Sequence, residues 1–209
     1  MKGPLVSVLV AAYNAERYLG AALESLFAQD YEPLEAIVID DGSEDGTEAV
    51  ARSFPGVEYL RQENSGPAAA RNNGLSRAQG EFVAILDSDD LLPPNKLSVQ
   101  VGHLVEHPDV DCVLGRQEWI DPPPWLTRDV VYGELDGIPL PSAVFRKQSL
   151  DEIGGFDPTY RTGEDMDLLV RLREHGGNLT HVGRPAKDPI LRSLKAKLDR
   201  ERQAREEGQ

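Results

Sequence analysis

Two short apolar runs in this chain each end in a cluster of carboxylates. Ala36-Ile37-Val38-Ile39 leads into Asp40-Asp41-Gly42-Ser43, and Phe82-Val83-Ala84-Ile85-Leu86 leads into Asp87-Ser88-Asp89-Asp90. Ligands of open α/β sheets bind at the carboxyl ends of the strands, near the point where strand order reverses. Acid clusters at two such ends point to one cleft holding a polar ligand and a cation. Repulsion argues the same way, because two carboxylates about 5 Å apart at an effective dielectric near 20 cost roughly 3 kcal/mol. A hard divalent ion such as Mg²⁺ or Mn²⁺ takes oxygen ligands and keeps several waters, so one or two carboxylates plus phosphate oxygens suffice. Each cluster also has a plainer reading: Asp-Gly is ordinary turn chemistry, and an isolated Asp-x-Asp can simply cap the segment after it.

A third candidate is Glu164-Asp165, ahead of an apolar stripe formed by Met166, Leu169, Val170 and Leu172. Acids at a helix start complement its dipole. A half-buried carboxylate in a cleft can instead act as a general base toward a hydroxyl. The four histidines, His103, His107, His175 and His181, show no metal-site spacing. Neither a Gly-x-Ser-x-Gly elbow nor a Walker phosphate loop is present. Trp119 and Trp125 flank a proline-rich stretch, Asp121-Pro122-Pro123-Pro124, and suit either stacking on a sugar face or an apolar hinge.

The elements that must position these groups follow from periodicity. Leu5–Ala11 reads as a fully buried strand broken by Tyr13-Asn14. Leu19, Ala22, Leu23, Leu26 and Phe27 form a helical stripe. Strands are expected over Leu34–Ile39, Val57–Arg61 and Glu81–Leu86. Helices are expected over Thr47–Ser53, capped by Ser43 or Asp45, and over Ala68–Ala78, closed by Gly80 as a C′ glycine. This β-α-β-α-β-α-β order over residues 5–90 predicts an α/β, Rossmann-like fold with a mainly parallel sheet. Beyond Pro93-Pro94 the pattern predicts a helix at Lys96–Glu106, strands at Val110–Leu114 and Leu140–Phe145, and helices at Gln148–Gly154 and within Gly163–Glu174. The charged stretch Lys187–Gln209 carries Leu191, Leu194 and Leu198 at helical spacing, either packing on the domain or pairing two copies as a homodimer. Residues 1–90 and 91–185 are expected as two halves of one domain, and 186–209 as a tail.

Composition narrows the function. The 209 residues carry a formal net charge of -14, from 22 basic and 36 acidic side chains, which opposes a nucleic-acid groove. A nucleotide is still admitted, since a divalent ion can hold phosphates in an acidic cleft. The single Cys112 lies in an apolar stretch and reads as a buried, inert thiol. No apolar run approaches the roughly 20 residues of a membrane span. Met1-Lys2-Gly3-Pro4 offers no secretory segment, so a cytoplasmic protein is expected.

Taken together, Val6-Ser7-Val8-Leu9-Val10-Ala11-Ala12-Tyr13-Asn14, Val38–Ser43 with Asp45-Gly46-Thr47, Gly66–Gly74, Asp87–Asp90, Gly154-Gly155-Phe156-Asp157 and Gly163–Leu168 resemble the family 2 glycosyltransferases of the GT-A fold. The resemblance spans about residues 5 to 175, in order, and implies that residues 1–90 are the nucleotide-sugar-binding half and 91–185 the acceptor-side half of one GT-A domain. It implies that Ala11, Tyr13 and Asn14 contact the nucleoside, that Asp40 accepts from the base, and that Arg71 approaches the base or phosphates. It further implies that Asp87 and Ser88 line the ribose or sugar, that Asp89 binds Mn²⁺ or Mg²⁺, and that Asp165 is the general base. The implied reaction moves one sugar from a nucleotide-diphosphate sugar, with UDP the expected nucleotide, to an unidentified acceptor hydroxyl with inversion. Two departures stand out. The family's Arg-x-His-like segment is not evident, leaving His175 or His181 to serve, and the part after the Glu-Asp helix is short. A degenerate member that binds nucleotide or a protein partner without transfer is therefore the alternative. A nucleotidyltransferase fits less well, because Ala11-Ala12-Tyr13-Asn14 stands where a Gly-rich, Arg-containing loop would be.

Overall fold

In the computed structural model, residues 3–115, 140–160 and 162–182 are described. The proline-rich stretch with its two tryptophans and the charged tail with its leucine stripe lie outside them. Strands β1 (Val6–Ala12), β2 (Leu34–Asp40), β3 (Val57–Arg61), β4 (Phe82–Ile85), β5 (Cys112–Leu114), β6 (Ala143–Arg146) and β7 (Leu179–His181) form one seven-stranded sheet in the order β3-β2-β1-β4-β6-β5-β7. All neighbours pair in parallel except β6, which runs antiparallel to both β4 and β5. A single sheet therefore crosses from the first half of the chain into the second, and the mainly parallel expectation is met.

Helices cover both faces, which is why the central strands are continuously apolar rather than alternating. Leu9 of β1 points into a layer with Leu75, Leu150, Leu168, Leu169 and Leu172. Val6, Val8 and Val10 point the other way, onto Leu19, Leu23, Leu26, Leu97, Val101 and Leu104. The first layer draws on α3 (Pro67–Arg77), α5 (Lys147–Glu152) and α6 (Glu164–Glu174), the second on α1 (Leu19–Phe27) and α4 (Lys96–Glu106). The short α2 (Thr47–Arg52) adds Ala51 to the second layer. Each fully buried leucine contributes roughly 2 kcal/mol of apolar burial.

The structure amends the expected elements in three places. Leu140–Ser142 is a 3₁₀ turn, and the strand begins only at Ala143. Strand β7 was not foreseen, because three residues of mixed character carry no periodicity. Gly80 is not a helix-capping glycine. Its N–H donates to Ser7 Oγ at 2.8 Å, and a Cβ there would stand 2.6 Å from Ser7 N, so it lets the chain pass against the start of β1. Asp45 does serve the start of α2, its Oδ1 accepting from Thr47 N at 3.0 Å.

Candidate active site

Because β1 lies between β2 and β4, the two acid clusters flank its carboxyl end, about 10 Å apart at two strand spacings. The strand order reverses between β1 and β4, so the cleft is at the switch point.

The first cluster is consumed by the protein itself. Asp40 ends β2 with no exposed surface. Its Oδ1 accepts from Ser43 N at 2.7 Å, and its Oδ2 accepts from Tyr59 Oη at 2.5 Å and Arg61 Nη1 at 3.0 Å. Burial alone would raise this carboxyl, but the bonds from Tyr59 and Ser43 and the Arg61 charge together hold it below the ordinary range. Asp41 accepts from Gln62 Nε2 at 2.8 Å, Ser65 N at 2.9 Å and Gly66 N at 2.8 Å. Gly42 makes the turn possible: its φ is +84°, and a Cβ would stand 2.9 Å from Asn64 N. Contact between Asp40 and a nucleotide base would require exchanging one of these partners.

At the end of β1, Tyr13 is 54% exposed at the rim of the cleft, with half-buried Ala11 behind it. Asn14 adopts φ +49°; its N–H donates to Ser43 Oγ at 2.9 Å and its Oδ1 accepts from Glu44 N at 2.9 Å. Asn14 thus ties the β1 and β2 loops together, whatever else it touches.

The second cluster is open. Leu86 N donates to Leu9 O at 3.0 Å, and a tight turn follows, with Asp90 N donating to Asp87 O at 3.0 Å. Asp87, Ser88 and Asp90 are half-buried and Asp89 is exposed. Burial, then repulsion from Asp87 and Asp89, pushes the Asp90 carboxyl up to about 6. A cation offsets such repulsion, and the carboxylates of Asp87 and Asp89 have the donor chemistry for a hard divalent ion. Among the described residues no group of three or more His, Cys, Asp and Glu is arranged to hold a metal, so substrate oxygens and water would have to complete the shell.

Arg71 joins this cluster to the other half of the chain. From the middle of α3 its Nη2 donates to Asp87 Oδ1 at 2.8 Å and its Nη1 to Glu164 Oε1 at 2.6 Å. Next to it, Asn72 clamps the Phe156 backbone, donating to Phe156 O at 2.7 Å and accepting from Phe156 N at 2.8 Å. Gly155, at φ +70°, is needed there because a Cβ would stand 2.5 Å from Asn72 Oδ1. The Gly154–Asp157 block thus docks on α3 and delivers the chain to α6. Asp165 sits half-buried on the first turn of α6; burial first, and the Glu164 charge next, raise its carboxyl, against the opposing Met166 N–H and Arg71. A raised carboxyl is the more effective proton acceptor.

Sequence reasoning singles out the Glu164-Asp165 pair and the block holding Asn72, but not the bonds Glu164 makes to Arg71 and Asn72 to Phe156. Their signal, an arginine and an asparagine on α3 opposite an acid and a glycine pair far along the chain, has meaning only after folding. The histidines separate clearly. His175 ends α6, about 15 Å along the helix from Asp165, with its Nδ1 3.0 Å from Arg171 O. His181 ends β7, on the same sheet edge as the acids but three strands from β4, about 14 Å away. Cys112 is fully buried with its thiol raised by burial, in accord with an inert role. No helix among the described residues is long and apolar enough to cross a membrane.

The comparisons with known proteins agree with this arrangement. An uncharacterised glycosyltransferase of Rickettsia typhi is 31% identical over 191 residues, covering 81% of this chain and 58% of the relative. A second, from Rickettsia felis, is 38% identical over 188 residues, covering 81% of this chain and 31% of the relative. The chain therefore spans well under two thirds of these relatives. Among solved structures, Staphylococcus aureus TarS 1–349 in complex with UDP-GlcNAc superposes with TM-score 0.71 at 25% identity, covering 89% of this chain and 57% of that one. The mannosyltransferase PcManGT of Pyrobaculum calidifontis, in complex with GDP-Man and Mn²⁺, gives 0.71 at 25% identity over 87% of this chain and 55% of that one. These neighbours share the GT-A arrangement of the sheet. The sequence model described as Glycosyl transferase family 2 matches residues 7–159, so the chain belongs to that family.

Proposed function

We propose that this domain transfers one sugar from a nucleoside-diphosphate sugar, with UDP as the nucleotide, to an acceptor hydroxyl with inversion at the anomeric carbon. The observation that carries this reading is the meeting of an open Asp87–Asp90 cluster with the first turn of α6, both gripped by Arg71. The resident ligands of two neighbours, UDP-GlcNAc in TarS and GDP-Man with Mn²⁺ in PcManGT, support the donor class.

Each residue has a defined task in this reading. Tyr13, Ala11 and Asn14 border the nucleoside, with Asp40 organising the loop beneath it and available to the base by exchange of a partner. Asp89 would hold the divalent ion, and Asp87 and Ser88 would line the ribose or sugar of the donor. A divalent ion held there would supply charge neutralisation for the departing diphosphate. Asp165 takes the proton of the acceptor hydroxyl as its oxygen bonds to the anomeric carbon and the bond from that carbon to the diphosphate breaks. The transition state has oxocarbenium character, and a single displacement needs no carboxylate nucleophile.

The test is transfer from UDP- and GDP-sugars with Mn²⁺ to a panel of sugar and lipid-linked acceptors, with the product anomer read by NMR. Inversion is expected. Asp165→Asn should lower transfer by roughly 10²–10⁴-fold while UDP binding stays within about threefold. A variant that transfers normally removes Asp165 from the base role, and a retained anomer excludes the single displacement.

A further inference from the structure

Arg71 pairs with acids on two different elements. Its side chain is 7% exposed, and its two terminal nitrogens go to different halves of the chain: Asp87 at the end of β4, and Glu164, 93 residues away, at the start of α6. The Phe156 ring lies beneath the guanidinium, its centroid 5.7 Å from Cζ. Nε is buried and has no hydrogen-bond partner among the described residues. Both terminal nitrogens are therefore held by carboxylates from different parts of the chain, and Nε keeps one unpaired donor.

At the start of α6 the local support falls on Asp165 and Asp167: Asp165 Oδ1 accepts from Met166 N at 2.8 Å, and Asp167 Oδ2 from Arg171 Nε at 2.6 Å. Gly163, the residue before the helix, adopts φ +82°, and no side chain caps the helix start. Leu168 and Leu172 bury the rest of the helix in the core; of the acids in the first turn, Asp167 is paired with Arg171 on the helix itself, whereas Glu164 is paired across the fold with Arg71. The Glu164–Arg71 bond anchors that turn to α3, and Asn72 anchors the Phe156 backbone ahead of it.

We propose that Arg71 and Glu164 are positioning residues: a strut across the cleft that fixes the first turn of α6, and with it the Asp165 carboxylate, against the end of β4. The proposal rests on the transferase reading for its consequence in catalysis, though not for its structural content. A fork is required, because a lysine at 71 is a point charge on a flexible stem and lacks the rigid, planar pair of nitrogens that holds Asp87 and Glu164 at fixed positions. Glu164 needs an acceptor oxygen more than a charge, so glutamine preserves the strut and alanine removes it.

Amide hydrogen exchange on the full chain tests this, alongside calorimetric titration with UDP and Mn²⁺. In Glu164→Ala the amides of Met166–Leu169 should exchange at least tenfold faster, while Leu9 and Val38 in the central strands hold their wild-type rates. UDP–Mn²⁺ affinity should stay within threefold. Glu164→Gln should restore exchange to within threefold of wild type, and Arg71→Lys should loosen α6 as Glu164→Ala does, which covers the case of an alanine variant that does not fold. In the transfer reaction, Glu164→Ala should lower kcat tenfold or more with the donor KM within threefold. Unchanged exchange in both Glu164→Ala and Arg71→Lys overturns the strut. A tenfold loss of UDP–Mn²⁺ affinity in Glu164→Ala overturns it too, assigning the pair to the donor site. Wild-type protein that fails to bind UDP would count against the transferase reading alone, since the exchange comparison does not use the nucleotide.

Discussion

The two acid clusters look alike as sequence and are opposites as structure. Asp40-Asp41 and Asp87-Ser88-Asp89-Asp90 both follow a buried strand and both enter a polar turn. Yet six hydrogen bonds from the protein converge on Asp40 and Asp41, while Arg71 supplies the side-chain partner of Asp87 and Asp89 stands in solvent. The difference lies in what faces each strand end. Opposite β2 stands the end of β3, which brings Arg61 and Gln62, and then the Ser65-Gly66 amides that open α3. Opposite β4, on the side away from β1, stands the antiparallel β6, whose pairing with β4 begins at Val144; among the described residues it brings no such donors to the cluster. A carboxylate run therefore signals a ligand only where the neighbouring strand fails to neutralise it. One cluster builds the cleft, and the other, in the proposed reading, does chemistry in it.

The strongest way to break this contrast is to remove a carboxylate from each cluster and compare stability. Asp40→Ala should cost roughly 3 kcal/mol in urea unfolding, since it strands Tyr59 Oη and Ser43 N without their acceptor. Asp89→Ala should leave the unfolding midpoint unchanged or slightly raised, because it relieves repulsion on Asp90. Equal losses in the two variants would show that both clusters are structural.

The complementary measurement is binding. Asp89→Ala should weaken UDP–Mn²⁺ affinity tenfold or more, about 1.4 kcal/mol, and chelator should abolish the difference between variant and wild type. If Asp89→Ala binds UDP–Mn²⁺ as wild type does, the open cluster is not the cation site.

How much of this contrast was legible beforehand follows from the kind of signal each feature carries. The strands and helices of residues 5–90 were readable because uninterrupted apolar runs and a helical stripe are local patterns. The resemblance also placed Asp87, Asp89, Arg71 and Asp165 in one site, and the fold does bring Arg71, Asp87 and the α6 start together. What could not be read was which acids were already satisfied. That depends on Tyr59, Arg61 and Gln62 arriving from a separate strand. The same limit hid the Asn72–Phe156 clamp and strand β7, whose three residues pair with β5 across a long stretch of chain. Gly80 shows the opposite error: its position just past a helix suggested a cap, whereas its neighbour across the fold, Ser7, is what requires it.

The smallest effect is also the most specific to the buried cluster. In the folded protein Asp40 holds its proton less readily than an ordinary carboxyl: burial opposes this, and the bonds from Tyr59 and Ser43 with the Arg61 charge prevail. A depressed carboxyl contributes stability that is fully present above its unfolded value near 3.9 and is lost as pH falls from there through the folded value. The stability difference between wild type and Asp40→Asn should thus be flat between pH 7 and 5 and shrink below about pH 4. Its slope is bounded by one proton, about 1.4 kcal/mol per pH unit. Urea unfolding at half-unit steps from pH 6 to 3 reads it directly. A difference that persists unchanged to pH 3 would mean that Asp40 contributes by shape rather than by charge. The two clusters would then differ in exposure alone, and the argument that β3 neutralises the first of them would fall.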